Sequence, residues 1–267
     1  MDIFETIKVR KSVRTFKEEV IDKETIKKVA TYIDTLEMPF GAKARIDIVH
    51  TETNNESIKL GTYGFIKGAK TFITLVVKGS DMNKVGAAYL FEQVVLYCTT
   101  LGLSTCWLGG SFSRKDFRKQ LNLNEGEKLC IVSPLGYEHE KRHVSIHSIL
   151  TGSKPSRRKP FESNFFDKNF DNKLTFDMAG KFAKPLEMVR LAPSANNSQS
   201  WRVVKDENCF HFYKSSSNGF DDIDLGIALC HFEQSCKALG IIGKFQIKDH
   251  IPYSKKASYV ISWIENS

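Results

Sequence analysis

Arg10, Lys11, Ser12 and Arg14 stand within five positions of one another near the N-terminus. Two guanidiniums, an ammonium and a hydroxyl so close together make an anion receptor, because arginine donates in a rigid fork that suits phosphate and serine adds a donor at small volume. The same run also reads as the solvated basic start of a strand. A second polar run, Ala192-Pro193-Ser194-Ala195-Asn196-Asn197-Ser198-Gln199-Ser200-Trp201-Arg202, brings amides and hydroxyls together. It can hydrogen-bond a planar, amide-like heterocycle, and it equally suits an Asx-rich turn. Other chemistries lack their residues. His139, His143 and His147 have the i, i+4 spacing of a zinc helix, but they lie in a polar stretch without HExxH, so no metal is expected. No G-x-G-x-x-G follows a strand and no G-x-S-x-G is present, which leaves a dinucleotide fold and a nucleophile elbow without support.

The elements that must position these residues are legible from periodicity. A helix is expected after the N-cap Asp22, with Ile26, Val29, Ala30, Ile33 and Leu36 at helical spacing, ending before Pro39 and Gly41. Strands are expected at Ala44–Thr51, Thr71–Lys78 and Leu129–Leu135, and a short helix at Arg114–Leu121. The helix Ala87–Leu101 has so little polar surface that it reads as central and buried. Glu138–Pro160 and Asp167–Gly180 read as loop-like. Beyond them come a helix at Pro185–Ala192, strands at Trp201–Val204 and Cys209–Tyr213 joined by a turn at Asp206–Asn208, an apolar helix at Gly226–Leu239, and a strand at Ser258–Ile264. The order helix, proline, strand, buried helix, strand thus occurs twice. Pro39–Val49 aligns with Pro193–Val203, and Ala88–Gly102 with Gly226–Gly240, placing Cys98, Leu101 and Gly102 over Cys236, Leu239 and Gly240. Two halves, 1–170 and 171–267, are the expected domains.

RxSxRxF near the N-terminus and APSxxNxQxW after a helix together resemble the paired signatures of the FMN-dependent nitroreductase family. Leu101-Gly102-Leu103-Ser104-Thr105-Cys106-Trp107-Leu108-Gly109-Gly110 is similar to that family's LGLGTCW stretch, Pro134-Leu135-Gly136-Tyr137 to its PLGY strand end, and Arg157-Arg158-Lys159-Pro160 to its late basic clamp. The order departs from the usual one. In an ordinary member APSxxN follows the first helix, where this chain has Pro39 to Arg45 with Lys43 in place of the asparagine, and here the motif stands in the second half. The second half has no RxSxR. The chain therefore resembles the internally duplicated subgroup, a fused pseudo-dimer that keeps one of two flavin sites.

That resemblance implies an α+β nitroreductase-like fold with a mostly antiparallel sheet and one FMN. It implies that Arg10, Lys11, Ser12, Arg157 and Arg158 hold the phosphate and ribityl chain, and that Arg14 lies by the pyrimidine edge, where a cation stabilises reduced flavin. Pro193, Ser194, Asn197 and Gln199 would contact the ring. The backbone of Gly109 and Gly110 would approach N5, since glycine permits close approach. Tyr63 and Phe65 are aromatic candidates for the substrate pocket, with core packing as the other role for Phe65. Ser200 stands where the family usually has proline. The implied activity is hydride transfer from NADH or NADPH through flavin to an electron-poor small molecule, a nitroaromatic or quinone, by a ping-pong mechanism with no catalytic side chain nominated. The alternative is a flavin store or redox sensor without turnover.

Composition sets the remaining bounds. With 267 residues, 41% of them hydrophobic, the chain can bury a large core and is not of a disordered class. The longest apolar runs are too short to span a bilayer and MDIFETIKVRKS is no signal core, so a cytoplasmic protein without membrane association is expected. A net charge of +8 permits nucleic-acid binding, but the lysines are scattered and not interleaved with aromatics, so none is expected. The six cysteines include no CxxC and read as buried thiols. A monomeric pseudo-dimer is expected, with further dimerisation as the alternative.

Overall fold

Thr71–Lys78 is buried along almost its whole length, which a short apolar, β-branched run achieves only inside a sheet. In the computed structural model, which describes residues 1–53, 56–57, 60–140, 158–215 and 219–266, this run is the core of a four-stranded antiparallel sheet. The chain opens with α1 (Ile3–Val9) and α2 (Lys23–Thr35), the latter capped as expected by Asp22, whose carboxylate accepts from Thr25 N–H at 2.8 Å. There follow β1 (Ala44–His50), a minimal hairpin of β2 (Glu52–Thr53) and β3 (Glu56–Ser57), and β4 (Thr71–Lys78). Next come α3 (Asp81–Thr100), β5 (Ser104–Thr105), α4 (Arg114–Arg118) and β6 (Glu127–Gly136). The strand order is β1-β4-β6-β5.

The second sheet is built from β7 (Phe165–Asp167), β8 (Trp201–Asp206), β9 (Cys209–Lys214), β10 (Gly243–Gln246) and β11 (Ser258–Glu265), in the order β10-β11-β9-β8-β7. Its helices are α5 (Ala183–Leu191), which packs on α6 (Asp221–Ala238). Phe182, Phe210, Phe232 and Trp263 interlock in the core between α6 and the sheet. Among the described strands of this sheet only β7, parallel to β8, departs from the antiparallel pattern.

The chain divides into two compact units, one of Met1 and Val9–Ser153, the other of Asp2–Lys8 and Lys154–Ser267. The division therefore falls before the expected 170/171, because Phe165–Asp167 gives its backbone hydrogen bonds to β8, and α1 counts with the second unit. Within the second unit, Lys184 Nζ lies 3.4 Å from the centroid of the Phe4 ring.

Each unit runs helix, 3-10 turn, two strands, long buried helix, strand, strand. Removing β7 leaves the order β8-β9-β11-β10, which repeats β1-β4-β6-β5 element for element. The repeat is firmer in topology than in sequence register. β1 starts soon after Pro39, whereas the loop after Pro193 runs on through Ser198–Ser200 before β8 begins at Trp201. The strand starts are thus offset from the register that lays Lys43 over Asn197. The three aligned identities have a local cause. Leu103 N–H bonds Cys98 C=O at 3.0 Å and Ile241 N–H bonds Cys236 C=O at 2.9 Å, while Gly102 (φ +76) and Gly240 (φ +71) adopt the left-handed conformation that closes each helix.

Candidate functional site

In the first unit the basic N-terminal segment is an edge of the sheet. Ser12 bridges Thr105 in parallel, Val13 N–H bonds Thr105 C=O at 2.9 Å, and Phe16 N–H bonds Lys67 C=O at 2.8 Å. Val13 and Phe16 point into the core beside Leu108, Phe112 and Phe117. Around Val13, a strand's alternation leaves its neighbours Ser12 and Arg14 on the other side, and the segment departs from that alternation by Phe16. The Ser12–Thr105 bridge sets this segment beside Cys106, whose thiol burial pushes up in pKa while Arg14, Ser12 and Arg10 pull it back. Among the described residues neither Arg10 nor Arg14 has a carboxylate partner, and Arg10 Nε is buried with no hydrogen-bond acceptor. Lys11, by contrast, is exposed and paired with Glu138 at 2.5 Å. Two uncompensated guanidiniums and a hydroxyl at one place fit an anion with several oxygens.

The loop that pairs with this edge carries the two aromatic candidates. Lys67 N–H bonds Arg14 C=O at 2.9 Å, and Phe65 N–H closes a turn on Thr62 C=O at 2.8 Å. Tyr63 is 68% exposed with φ +48, a conformation a tyrosine holds only under constraint. Phe65 is half-buried and is not part of the core cluster. Leu108 bridges Val132, and the chain then leaves the sheet as Gly109-Gly110. Arg114 donates to Gly109 C=O at 2.9 Å, and a Cβ at Gly110 would meet nothing within 4 Å, so the space over that backbone is open.

The second unit holds the amide-rich loop. Asn196 (φ +52), Asn197 (φ +56) and Gln199 (φ +47) are left-handed, which asparagine tolerates and glutamine resists. Pro193 is buried, and the Ser194 hydroxyl accepts from Gln199 N–H at 2.9 Å. Gln199 is itself buried: its Oε1 accepts from Lys159 N–H at 2.9 Å and its Nε2 donates to Asn197 C=O and Oδ1, both at 3.2 Å. Arg158 donates to Asn197 Oδ1 and, at 2.9 Å, to Leu191 C=O. Lys159 Nζ bonds Ser198 C=O at 2.6 Å, and burial followed by the Arg202 charge lowers its pKa. Gln199, Ser194 and Arg158 thus hold the loop and Asn197 within it. Arg157, His143 and His147 lie outside the described residues.

Sequence reading missed three residues that organise these segments. Arg114 holds the Gly109 carbonyl. Glu92, fully buried on α3, accepts from Trp107 Nε1 at 2.9 Å. Asp224 underlies the amide-rich loop, and its signal was an acidic run, Asp221, Asp222 and Asp224, just ahead of the apolar stretch read as beginning at Gly226. Four cysteines are buried and two half-buried, all six as free thiols; Cys98 is pushed up to about 12 by burial. Among the described residues no group of three His, Cys, Asp or Glu side chains could hold a metal, and no helix is long and apolar enough to cross a membrane.

A search of the curated proteins finds no match. Among solved structures, a "putative nitroreductase" from Thermotoga maritima is 19% identical with a TM-score of 0.64, covering 100% of this chain and 95% of that one, and so shares the fold. An FMN-dependent nitroreductase from Clostridium difficile matches 56% of this chain and 95% of its own at 19% identity and a TM-score of 0.41. A nitroreductase with bound FMN from Bacteroides fragilis matches 54% and 92% at 19% identity and 0.42. The model of the family described as "Putative TM nitroreductase" matches residues 2–236. Covering most of the chain and both motif-bearing segments, that match makes this chain a member of that nitroreductase family.

Proposed function

We propose that this protein is an NAD(P)H-dependent oxidoreductase that binds one FMN per chain and reduces an electron-poor small molecule, a nitroaromatic or quinone. The observation that carries the reading is the Arg10–Arg14 segment bridged to Thr105, with two guanidiniums that have no carboxylate partner among the described residues and one buried, orphaned Nε, in a chain of a nitroreductase family. When bound, FMN would supply the redox chemistry, two-electron transfer between a nicotinamide donor and the acceptor.

Every other task falls to this chain. Arg10 and Ser12 would neutralise and hydrogen-bond the phosphate, with Arg157 and Lys11 as further cations of the same kind. Arg14 would lower the free energy of an anionic reduced ring. The open space over Gly110 supports a backbone N–H donor there, and Arg114 on the Gly109 carbonyl fixes that peptide plane. Pro193, Ser194 and Asn197 would face the ring from the amide-rich loop, Gln199 and Arg158 acting through Asn197. Tyr63 would cover the substrate side. One RxSxR and one APSxxN in the sequence support one flavin per chain.

The test is reconstitution of the full chain with FMN, followed by its visible spectrum and by steady-state oxidation of NADH and NADPH with a quinone or nitroaromatic. One bound flavin and acceptor-dependent turnover are expected. A colourless protein after reconstitution overturns the reading, two flavins per chain overturn the single site, and flavin binding without turnover assigns a flavin store or sensor instead.

A further inference from the structure

Asp224 stands in the first turn of α6 and is 1% exposed. A carboxylate so far out of water is costly unless donors satisfy it. Three donors come from one loop: Ala195 N–H on Oδ1 at 2.9 Å, and the hydroxyls of Ser198 at 3.1 Å and Ser200 at 3.3 Å on Oδ2. These anchors bracket Asn196 and Asn197, whose φ values of +52 and +56 put two successive residues with side chains in the left-handed region. Such a stretch persists only where its surroundings hold it. The helix start adds its partial positive charge to the same carboxylate.

We propose that Asp224 is a positioning residue for ligand binding, acting through the loop by clamping Ala195, Ser198 and Ser200 so that Asn197 is held in one geometry. The inference rests on the reading of this loop as the flavin-ring loop. It also gives Ser200 a purpose. Where the resemblance leads one to expect proline, this chain places a hydroxyl that donates to Asp224, so a hydrogen bond supplies the rigidity a pyrrolidine ring would have given.

The experiment titrates the full chain with FMN and with riboflavin by flavin fluorescence and records the absorption band of the bound flavin. Asp224→Asn should weaken both ligands by the same factor, about tenfold or more, because the loop acts on the ring they share. The band of the bound flavin should shift with it. Ser200→Ala should lose less, and should add little when combined with Asp224→Asn. A folded Asp224→Asn variant that binds both flavins as the parent does, or that loses FMN alone, overturns the inference. If Asp224→Asn does not fold, the double variant Ser198→Ala, Ser200→Ala keeps the carboxylate on Ala195 and is judged by the same two outcomes. A parent chain that takes up neither flavin overturns the proposed function and this inference with it; flavin uptake by the parent with unmoved variants overturns this inference alone.

Discussion

Arg10 and Arg158 were equivalent as sequence, both basic residues of a phosphate-binding resemblance, and their surroundings separate them. Among the described residues Arg10 has a buried Nε with no acceptor, which the proposed function assigns to the flavin phosphate. Arg158 already spends its fork on Asn197 Oδ1 and Leu191 C=O. Arg10→Ala should therefore weaken FMN more than riboflavin by about tenfold or more, the size of a lost charged hydrogen bond, while Arg158→Ala should weaken the two alike. Parallel titrations of both flavins check this, and a phosphate-selective loss at Arg158 would show that its fork turns outward on binding. Arg14→Ala should lower the flavin midpoint potential, by on the order of 30 mV if the cation contributes about 1.4 kcal/mol to the two-electron couple. A spectroelectrochemical titration reads it. The residue types of this site were legible from sequence. Their partners were not, because nothing in the sequence says that Gln199 turns inward or that Asp224 lies beneath Ser198 and Ser200.

Caps and crossings govern the elements. Gly102 and Gly240 both end a long buried helix with positive φ and have nothing near their missing side chains, so alanine at either should cost only the backbone term, about 1 kcal/mol. Gly243 is different. A Cβ there would lie 2.2 Å from the Trp263 ring and 2.4 Å from Ile264 C=O, within the β10–β11 pair. Gly243→Ala should destabilise by several-fold more, roughly 2–4 kcal/mol, since neither a strand backbone nor a fully buried indole can give way. Urea denaturation of the three variants ranks them, and equal costs would mean that β10 yields. Long periodic elements such as α2, β4, β6 and β9 could be read from the chain, because burial of one face or both leaves a pattern. The short strands β5, β7 and β10 could not. They hold two to four residues each, and what makes them strands is the neighbour they pair with.

At the scale of the whole molecule, pH acts on one imidazole in each unit. His211, buried on β9 with Nδ1 at 2.8 Å from Ser262 Oγ, and His50 on β1 are both held below the ordinary 6.5 by loss of hydration. A lowered pKa means that the unfolded chain binds more protons than the folded one once pH falls below about 6.5. Stability should thus be fully present above that value and decline as pH falls through the folded-state values. Chemical denaturation at pH 7.5, 6.0 and 5.0 should show this decline, and His211→Gln should flatten part of it; an unchanged slope would place the acid sensitivity elsewhere. The sequence by itself determined the family, the α+β class, the duplicated order of helices and strands, and the residue types of an anion site and an amide-rich loop, because these follow from local periodicity and from motifs written in contiguous residues. Only the tertiary structure decided that the units divide before β7, that the sheets share one strand order, which guanidiniums are already satisfied, and that a buried aspartate clamps the loop. Those are outcomes of long-range pairing and desolvation, in which a residue's role is set by whichever distant group the fold brings within about 3 Å of it.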